Sequence, residues 1–139
     1  NIIITVSPIR YAKYGYHGSQ LSKAVLLLAA NKVIKEEGER VYYFPAYEIV
    51  NDELRDYRFY KADMLHPNEQ AVEYIWEQLV ATCFSAEVKQ FLEEWRPIKE
   101  ALAHRPFHPE AAAYQDFIKK TKEKAKMLEL KYPNIELNL

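Results

Sequence analysis

The stretch from Asp63 to Asn68 carries the residue types whose spacing could do chemistry. Asp63 and His66 lie three residues apart, and Pro67 follows the histidine and biases it away from the helical backbone conformation. An apolar period typical of a helix begins after Asn68, so the acid and the histidine are expected on a tight loop at a helix entrance. A carboxylate bound to one imidazole nitrogen fixes the tautomer and raises the basicity of the other nitrogen. The spacing therefore predicts an Asp63–His66 hydrogen bond and a general base at His66; the alternative is a loop in which Asp63 only caps a backbone amide.

Length and composition bound the classes of protein that the chain can belong to. It has 139 residues, 49% hydrophobic and 28% charged, which is enough to bury the core of one ordinary domain. A net charge of -1 argues against a general nucleic-acid or membrane-surface binder, which would need an excess of basic residues. The longest apolar run, Ala24 to Ala30, is too short to span a bilayer. The single cysteine, Cys83, leaves no intrachain disulfide.

The beginning of the chain is unusual, because Asn1 leads directly into a β-branched run without an initiating methionine. We therefore expect the natural protein to continue upstream of Asn1. No signal peptide is visible, which leaves the compartment open, with the cytoplasm as the default.

Two short apolar runs with a helical period between them predict a βαβ unit. Ile2 to Val6 is β-branched at every position without alternating polar residues, which indicates a strand buried on both faces in a parallel sheet. Ser19 is a plausible N-cap, Gly38 a stop, and Val41 to Phe44 a second buried strand. The apolar positions at helical spacing between the two strands are Leu21, Ala24, Val25, Leu28 and Val33. The crossover should be right-handed.

Two connections of this unit supply further candidate residues. Ile9 to Gly18 is a tyrosine-rich loop leaving the carboxyl end of the first strand, where α/β sheets place ligands, so Ser7, Arg10 and His17 are candidates for substrate binding. They are equally consistent with ordinary turn and cap residues. In the long connection from 46 to 62 we expect a short helical turn near residues 51–54. There Arg58 either orients a substrate carboxylate or lies on an exposed strand-like edge.

The second half of the chain predicts helices. An amphipathic helix follows the histidine loop to about Thr82, and Ser85 caps the next one, which Pro97 should kink or end early. Pro109 suits the first turn of a last helix, and the two final helices should form an antiparallel hairpin. A weak strand-like alternation occupies the tail, at Ile135, Leu137 and Leu139.

A metal site is not expected. His104 and His108 are four residues apart, as metal ligands on a helix can be, but Pro106 interrupts the helix face and no third ligand accompanies them. We expect no cofactor.

Several segments, taken together, resemble a known family. The loop from Asp63 to Asn68 resembles the Asp-x-x-His-Pro block that precedes the terminal helix of SGNH-type hydrolases. Further matching segments follow in order: Thr5 to Arg10, Gln20 to Lys23, Tyr43 to Glu48, Asp52 to Tyr60, and Ile75 with Trp76. Over residues 2 to 84 the chain thus resembles the C-terminal part of GSCFA-family proteins, which are similar to SGNH hydrolases.

The resemblance implies a fold and a reaction. The fold would be α/β and helix-rich: an incomplete flavodoxin-like three-layer βαβ unit, residues 1–84, with a helical hairpin extension, 85–139, in one domain. His66 would be the general base of a serine esterase and Asp63 its orienting partner. The nucleophile of such enzymes lies in an N-terminal Gly-Ser motif that this sequence lacks, and its serines stand in other contexts: Ser7, Ser19, Ser22 and Ser85. The substrate would be an acyl ester of a carbohydrate, a lipid or another small molecule.

Two alternatives in partner and function remain open. The chain is either the C-terminal part of an esterase or a non-catalytic relative that acts as a binding or assembly module.

An apolar strand with one obvious partner leaves an edge and helix faces uncovered. We therefore expect a homodimer formed through Ile2 to Val6 or through the helical hairpin, residues 86–130, burying more than about 1,000 Å².

Overall fold

The structure is a computed structural model that describes residues 1–137. The chain divides into two compact units, Asn1–Thr82 and a second that begins at Cys83. It is helix-rich, with one small parallel sheet in the described residues, which is consistent with the α/β class. None of the helices in residues 1–137 is both long enough and apolar enough to cross a membrane.

The predicted βαβ unit forms the first part of the chain. Strands β1 (Ile2–Ile4) and β2 (Val41–Tyr43) pair in parallel, with Ile3 opposite Tyr42, and helix α1 (Gly15–Glu37) connects them. Gly38 ends α1 as predicted, at a φ of 57° that a residue without a Cβ adopts readily.

The surfaces that β1 and α1 bury differ from the prediction. Ile2 and Ile3 are 57% and 46% exposed, so β1 is not covered on both faces; within residues 1–137 its strand partner is β2. On α1 the predicted apolar face is exposed at Leu21, Val25 and Leu28, and the helix buries a different set: Ser19, Lys23 and Ala30. Because apolar residues occur all around this helix, their period did not identify the face that packs.

Helix α1 also begins earlier than predicted. Tyr11 leads into a 3-10 turn at Ala12–Tyr14, and α1 starts at Gly15, so the expected loop from Ile9 to Gly18 is shorter. Ser19 is not the N-cap: it is buried inside the helix, where its hydroxyl accepts the N–H of Tyr11 at 3.2 Å.

The long connection after β2 is largely helical. Helix α2 (Ala46–Glu48) continues as a π-helix at Ile49–Leu54, which confirms a helical turn near 51–54 and extends it. A 3-10 turn follows at Tyr57–Phe59, so Arg58 does not lie on a strand-like edge. Helix α3 (Glu69–Cys83) then follows the histidine loop, close to the predicted span.

The second unit is the predicted helical hairpin. Helices α4 (Ala86–Ala103) and α5 (Ala112–Lys131) run antiparallel: Tyr114, at the start of α5, donates its hydroxyl to the carbonyl of His104, just after α4, whereas Lys131, at the end of α5, lies 2.5 Å (Nζ to Oε1) from Glu94, near the middle of α4.

The helix ends of this hairpin were predicted with mixed success. Ser85 caps α4 as predicted, accepting the N–H of Val88 at 3.3 Å. The exposed Pro97 does not end α4, which continues to Ala103. Pro109 is not in the first turn of α5, because Ala111 is the N-cap.

The tail folds onto the hairpin. Residues 132–137 form no strand; instead Ile135 and Leu137 pack against the hairpin core. Leu139, the last position of the predicted alternation, lies outside the described residues. The hairpin core is a cluster of buried side chains: Phe91, Ile98, Ala125, Leu128 and Tyr132.

We expect Phe91→Ala to lower the free energy of unfolding of the second unit by about 3–5 kcal/mol, because it leaves a cavity beside Tyr132, whose ring centroid lies 5.2 Å away. The loss is measured by denaturant-dependent amide exchange of α5. Phe107→Ala is the matched control, since Phe107 is 99% exposed and its loss should change stability by no more than about 0.5 kcal/mol. Equal effects of the two changes would contradict this core.

Candidate active site

The loop that carries the histidine is closed by a short antiparallel bridge. Tyr60 pairs with Pro67, and the N–H of Lys61 donates to the carbonyl of His66 at 2.8 Å. Inside the loop the N–H of Met64 donates to the carbonyl of Lys61 at 2.9 Å. Met64 has a φ of 60°, a left-handed conformation that tightens the turn before the histidine.

Asp63 binds both the backbone of the loop and the imidazole. Its Oδ1 accepts the N–H of Leu65 at 2.9 Å and that of His66 at 3.0 Å, and its Oδ2 lies 2.6 Å from His66 Nδ1. The predicted Asp63–His66 hydrogen bond is thus confirmed. Three hydrogen bonds lower the pKa of Asp63 to about 2. The largest effect comes from the His66 backbone N–H, the next from the Leu65 N–H, and a smaller one from the His66 side chain.

The imidazole is half-exposed, with 51% of its side-chain surface accessible. With Nδ1 turned to Asp63, the other ring nitrogen receives no hydrogen bond from a residue in the described chain. The arrangement can fix the Nδ1–H tautomer and present Nε2 as a proton acceptor.

Asn68 joins the loop to α3, a role that the sequence analysis did not assign. Its backbone N–H donates to the carbonyl of Phe59 at 2.8 Å and its Nδ2 to that of Arg58 at 2.5 Å. Its Oδ1 accepts the N–H of Ala71 at 3.0 Å, which makes Asn68 the N-cap of the helix. The preference of asparagine for N-caps, just before an apolar period, was the available signal.

Of the residues predicted to bind substrate, Arg10 is the one whose side chain forms a hydrogen bond with the histidine loop. Its backbone N–H donates to the carbonyl of Leu65 at 3.1 Å, and its Nη1 donates to that of Met64 at 3.2 Å. The guanidinium carbon lies 4.2 Å from the ring centroid of Tyr60 and 5.3 Å from that of Tyr57.

Ser7 lies in the turn after β1. Its hydroxyl accepts the N–H of Ile9 at 3.3 Å, and its carbonyl accepts a 2.6 Å bond from the buried Lys23 Nζ. Burial lowers the pKa of Lys23.

His17 and Arg58 have no side-chain hydrogen bond to the Asp63–His66 pair. His17 is exposed in the first turns of α1. The Arg58 guanidinium is exposed as well, 3.9 Å from Asp56 Oδ2 and 4.9 Å from the centroid of the Phe59 ring. The backbone carbonyl of Arg58, in contrast, accepts a hydrogen bond from Asn68 Nδ2. Substrate binding by these side chains stays a prediction.

A groove of about 400 Å³ lies beside the loop. Leu65, the residue before the histidine, lines it together with Arg10 and the aromatic side chains Tyr11, Tyr16 and Tyr57. Tyr16 and Tyr57 are 85% and 63% exposed. The tyrosine-rich segment noted in the sequence therefore does line a concave surface, which reaches the histidine loop at Leu65.

No serine in the described chain is hydrogen-bonded to His66. Ser7, Ser19 and Ser85 use their hydroxyls to accept neighbouring backbone N–H groups, and Ser22 is half-buried in α1. The same part of the chain contains no group of three or more His, Cys, Asp or Glu side chains placed to hold a metal ion.

Comparison with known families gives two matches. Residues 1–79 match the GSCFA family, and residues 95–139 match the C-terminal domain of GSCFA domain proteins. The first match covers the βαβ unit and the histidine loop; the second covers most of the helical hairpin, which the sequence resemblance did not include. No curated protein and no solved structure matches the chain.

Because the folded pKa of Asp63 lies below its ordinary value of 3.8, the carboxylate stabilises the loop above about pH 4. This stabilisation is lost as the pH falls from about 4 towards 2. We expect the amide proton shifts of Leu65 and His66 to titrate with a midpoint near 2, and this titration to disappear in Asp63→Asn. Asp52→Asn, an exposed aspartate of the same unit, is the control and should leave it unchanged. A midpoint near 3.8 would contradict the three-bond geometry.

Proposed function

The chain belongs to the GSCFA family, and on that premise we propose that it supplies the acid–base pair of a serine esterase. The observation that supports the proposal is the 2.6 Å contact between His66 Nδ1 and Asp63 Oδ2, on a loop whose backbone is bound to the same carboxylate. His66 is the general base and Asp63 its orienting partner.

The geometry suits both halves of an acyl-transfer reaction. His66 Nε2 takes the proton of a serine hydroxyl as the oxygen attacks the ester carbonyl carbon, and Asp63 stabilises the imidazolium that forms. The imidazolium then protonates the departing alcohol as the C–O bond breaks. In the second half, His66 activates a water molecule in the same way and the acyl-enzyme is hydrolysed to the acid and free serine.

The serine nucleophile and the oxyanion donors are proposed to come from a Gly-Ser segment upstream of Asn1. The four serines of this chain do not hydrogen-bond the base in the described structure, and the hydroxyls of Ser7, Ser19 and Ser85 are engaged with backbone amides. By the same proposal, β1 and β2 are two strands of a larger flavodoxin-like three-layer fold, with upstream strands extending the sheet.

The proposed substrate is an acyl ester of a carbohydrate, a lipid or another small alcohol. The groove beside Leu65 combines tyrosine rings with hydroxyl groups, so it offers both apolar contact and hydrogen bonding to such a molecule.

A non-catalytic binding or assembly module is the second candidate. The observation that favours it is the lack of a nucleophile among the residues that bond His66 in the described chain. The coding DNA upstream of Asn1 separates the two: a strand followed by Gly-Ser supports the esterase, and a start codon near Asn1 supports the module.

We expect the purified chain alone to hydrolyse no p-nitrophenyl ester at an enzymatic rate, because a base without nucleophile and oxyanion donors lacks most transition-state stabilisation. In a longer protein that carries the proposed Gly-Ser segment we expect hydrolysis, and a loss of at least about 10²-fold in kcat for His66→Ala. His108→Ala, on the exposed loop between α4 and α5, is the matched control and should retain full activity. Ester hydrolysis by the chain alone that His66→Ala abolishes would instead make one of its four serines the nucleophile.

We also propose that the chain forms a homodimer, as its exposed apolar residues in β1 and α1 favour association. We expect light scattering to give a dimer at micromolar concentration. Ile3→Lys should shift it towards monomer if β1 is buried in the interface, and Met127→Lys, at a 66% exposed position of α5, if the hairpin is. A stable wild-type monomer would contradict dimerisation.

A further inference from the structure

We propose that Arg10 is a positioning residue for the Asp63–His66 pair and does not primarily bind substrate. This inference rests on the proposed function, because it gives Arg10 a role in holding the general base. Asp63 and His66 are both half-exposed, so side-chain packing alone does not fix them. Their positions therefore depend on the backbone hydrogen bonds that hold the loop.

Arg10 binds the two peptide carbonyls that immediately precede the histidine. Its Nη1 donates to Met64 O at 3.2 Å and its backbone N–H to Leu65 O at 3.1 Å. Met64, the first of these two residues, has the left-handed φ of 60° that tightens the turn before the histidine. Within residues 1–137, two hydrogen bonds connect the loop at 61–66 to the βαβ unit, and Arg10 donates both of them.

Arg10 is itself held on two sides. Its guanidinium lies over the rings of Tyr60 and Tyr57, and Tyr60 is buried and forms the bridge that closes the histidine loop. On the other side, the next residue, Tyr11, donates its N–H to the buried Ser19 of α1. Through these contacts Arg10 fixes the residues that precede His66 relative to α1 and the end of β1.

Asp63 and Arg10 therefore have different effects on His66. Asp63 sets the tautomer of His66 through a local bond within the loop, whereas Arg10 sets where the loop lies relative to the sheet and α1. A nucleophile bound to that sheet would meet Nε2 at hydrogen-bond distance only when the loop is held. A misplacement of about 1 Å can cost on the order of 10²-fold in rate.

The first test uses the 139-residue chain labelled with ¹⁵N, with the ring signals of His66 assigned by their loss in His66→Ala. In the wild type we expect a protected Nδ1–H proton bound to Asp63. In Arg10→Ala we expect this proton to lose protection and the ring to exchange between tautomers, because the loop loses the guanidinium bond to Met64 O and the stacking of Arg10 on Tyr60, and keeps only the backbone bond to Leu65 O. Arg40→Ala is the matched control, since Arg40 is 81% exposed in its side chain and pairs with Glu37; it should leave the His66 signals unchanged.

Unchanged His66 signals in a folded Arg10→Ala chain would overturn the proposal. Should that variant fail to fold, Arg10→Lys decides, because lysine keeps the charge and the backbone N–H but lacks the planar guanidinium. We expect a partial loss of Nδ1–H protection in Arg10→Lys, and wild-type protection there would equally overturn the proposal.

The second test separates positioning from substrate binding in the longer protein that carries the proposed Gly-Ser segment. For Arg10→Ala we expect kcat to fall by about ten-fold or more while KM changes less than about two-fold. A rise in KM with kcat unchanged would return Arg10 to a substrate-binding role. If the wild-type protein hydrolyses no ester, the proposed function fails, while the His66 ring signals still decide whether Arg10 holds the loop.

Discussion

A single carboxylate organises the candidate site. Asp63 accepts two consecutive backbone N–H groups with one oxygen and meets the imidazole of His66 with the other. Charge-assisted hydrogen bonds of this kind are short and directional, so the interaction that folds the turn also sets the plane and tautomer of the ring. The loop and the base are therefore one structural feature, and a neutral residue at 63 would alter both.

The elements around the loop explain how an exposed pair can have a defined geometry. Tyr60 and Pro67 close the loop, Asn68 connects it to α3, and Arg10 connects it to the end of β1. Each contact ends on a backbone group, which has fewer conformational alternatives than a long side chain. The residues on both sides of the loop, together with the distant Arg10, thus hold a loop that has little core of its own.

The two units differ in how completely they bury their apolar residues. The hairpin of α4 and α5 has a contiguous core that includes Phe91 and Leu128, and the second family match coincides with most of it. The first unit buries Val50, Phe44 and Ala71 but leaves apolar residues of β1 and α1 in solvent. These exposed residues are the ones on which the proposed association through β1 depends.

The sequence by itself determined the features that depend on neighbouring residues. The Asp63–His66 bond followed from a three-residue spacing and a proline. Capping preferences predicted the end of α1 at Gly38 and the start of α4 at Ser85. The order of β1, α1 and β2 followed from apolar runs. Local hydrogen bonds decide these features, so a short window of sequence contains their cause.

The tertiary structure alone decided which surfaces are buried and which distant residues meet. Ser19 was a plausible N-cap by its type, but α1 begins at Gly15 and places that hydroxyl against the N–H of Tyr11. Arg10 lies more than fifty residues from the histidine loop in sequence, and only the packing of the βαβ unit brings its guanidinium to Met64. Burial and long-range contacts depend on how whole elements pack, and no period or spacing within one element contains that information.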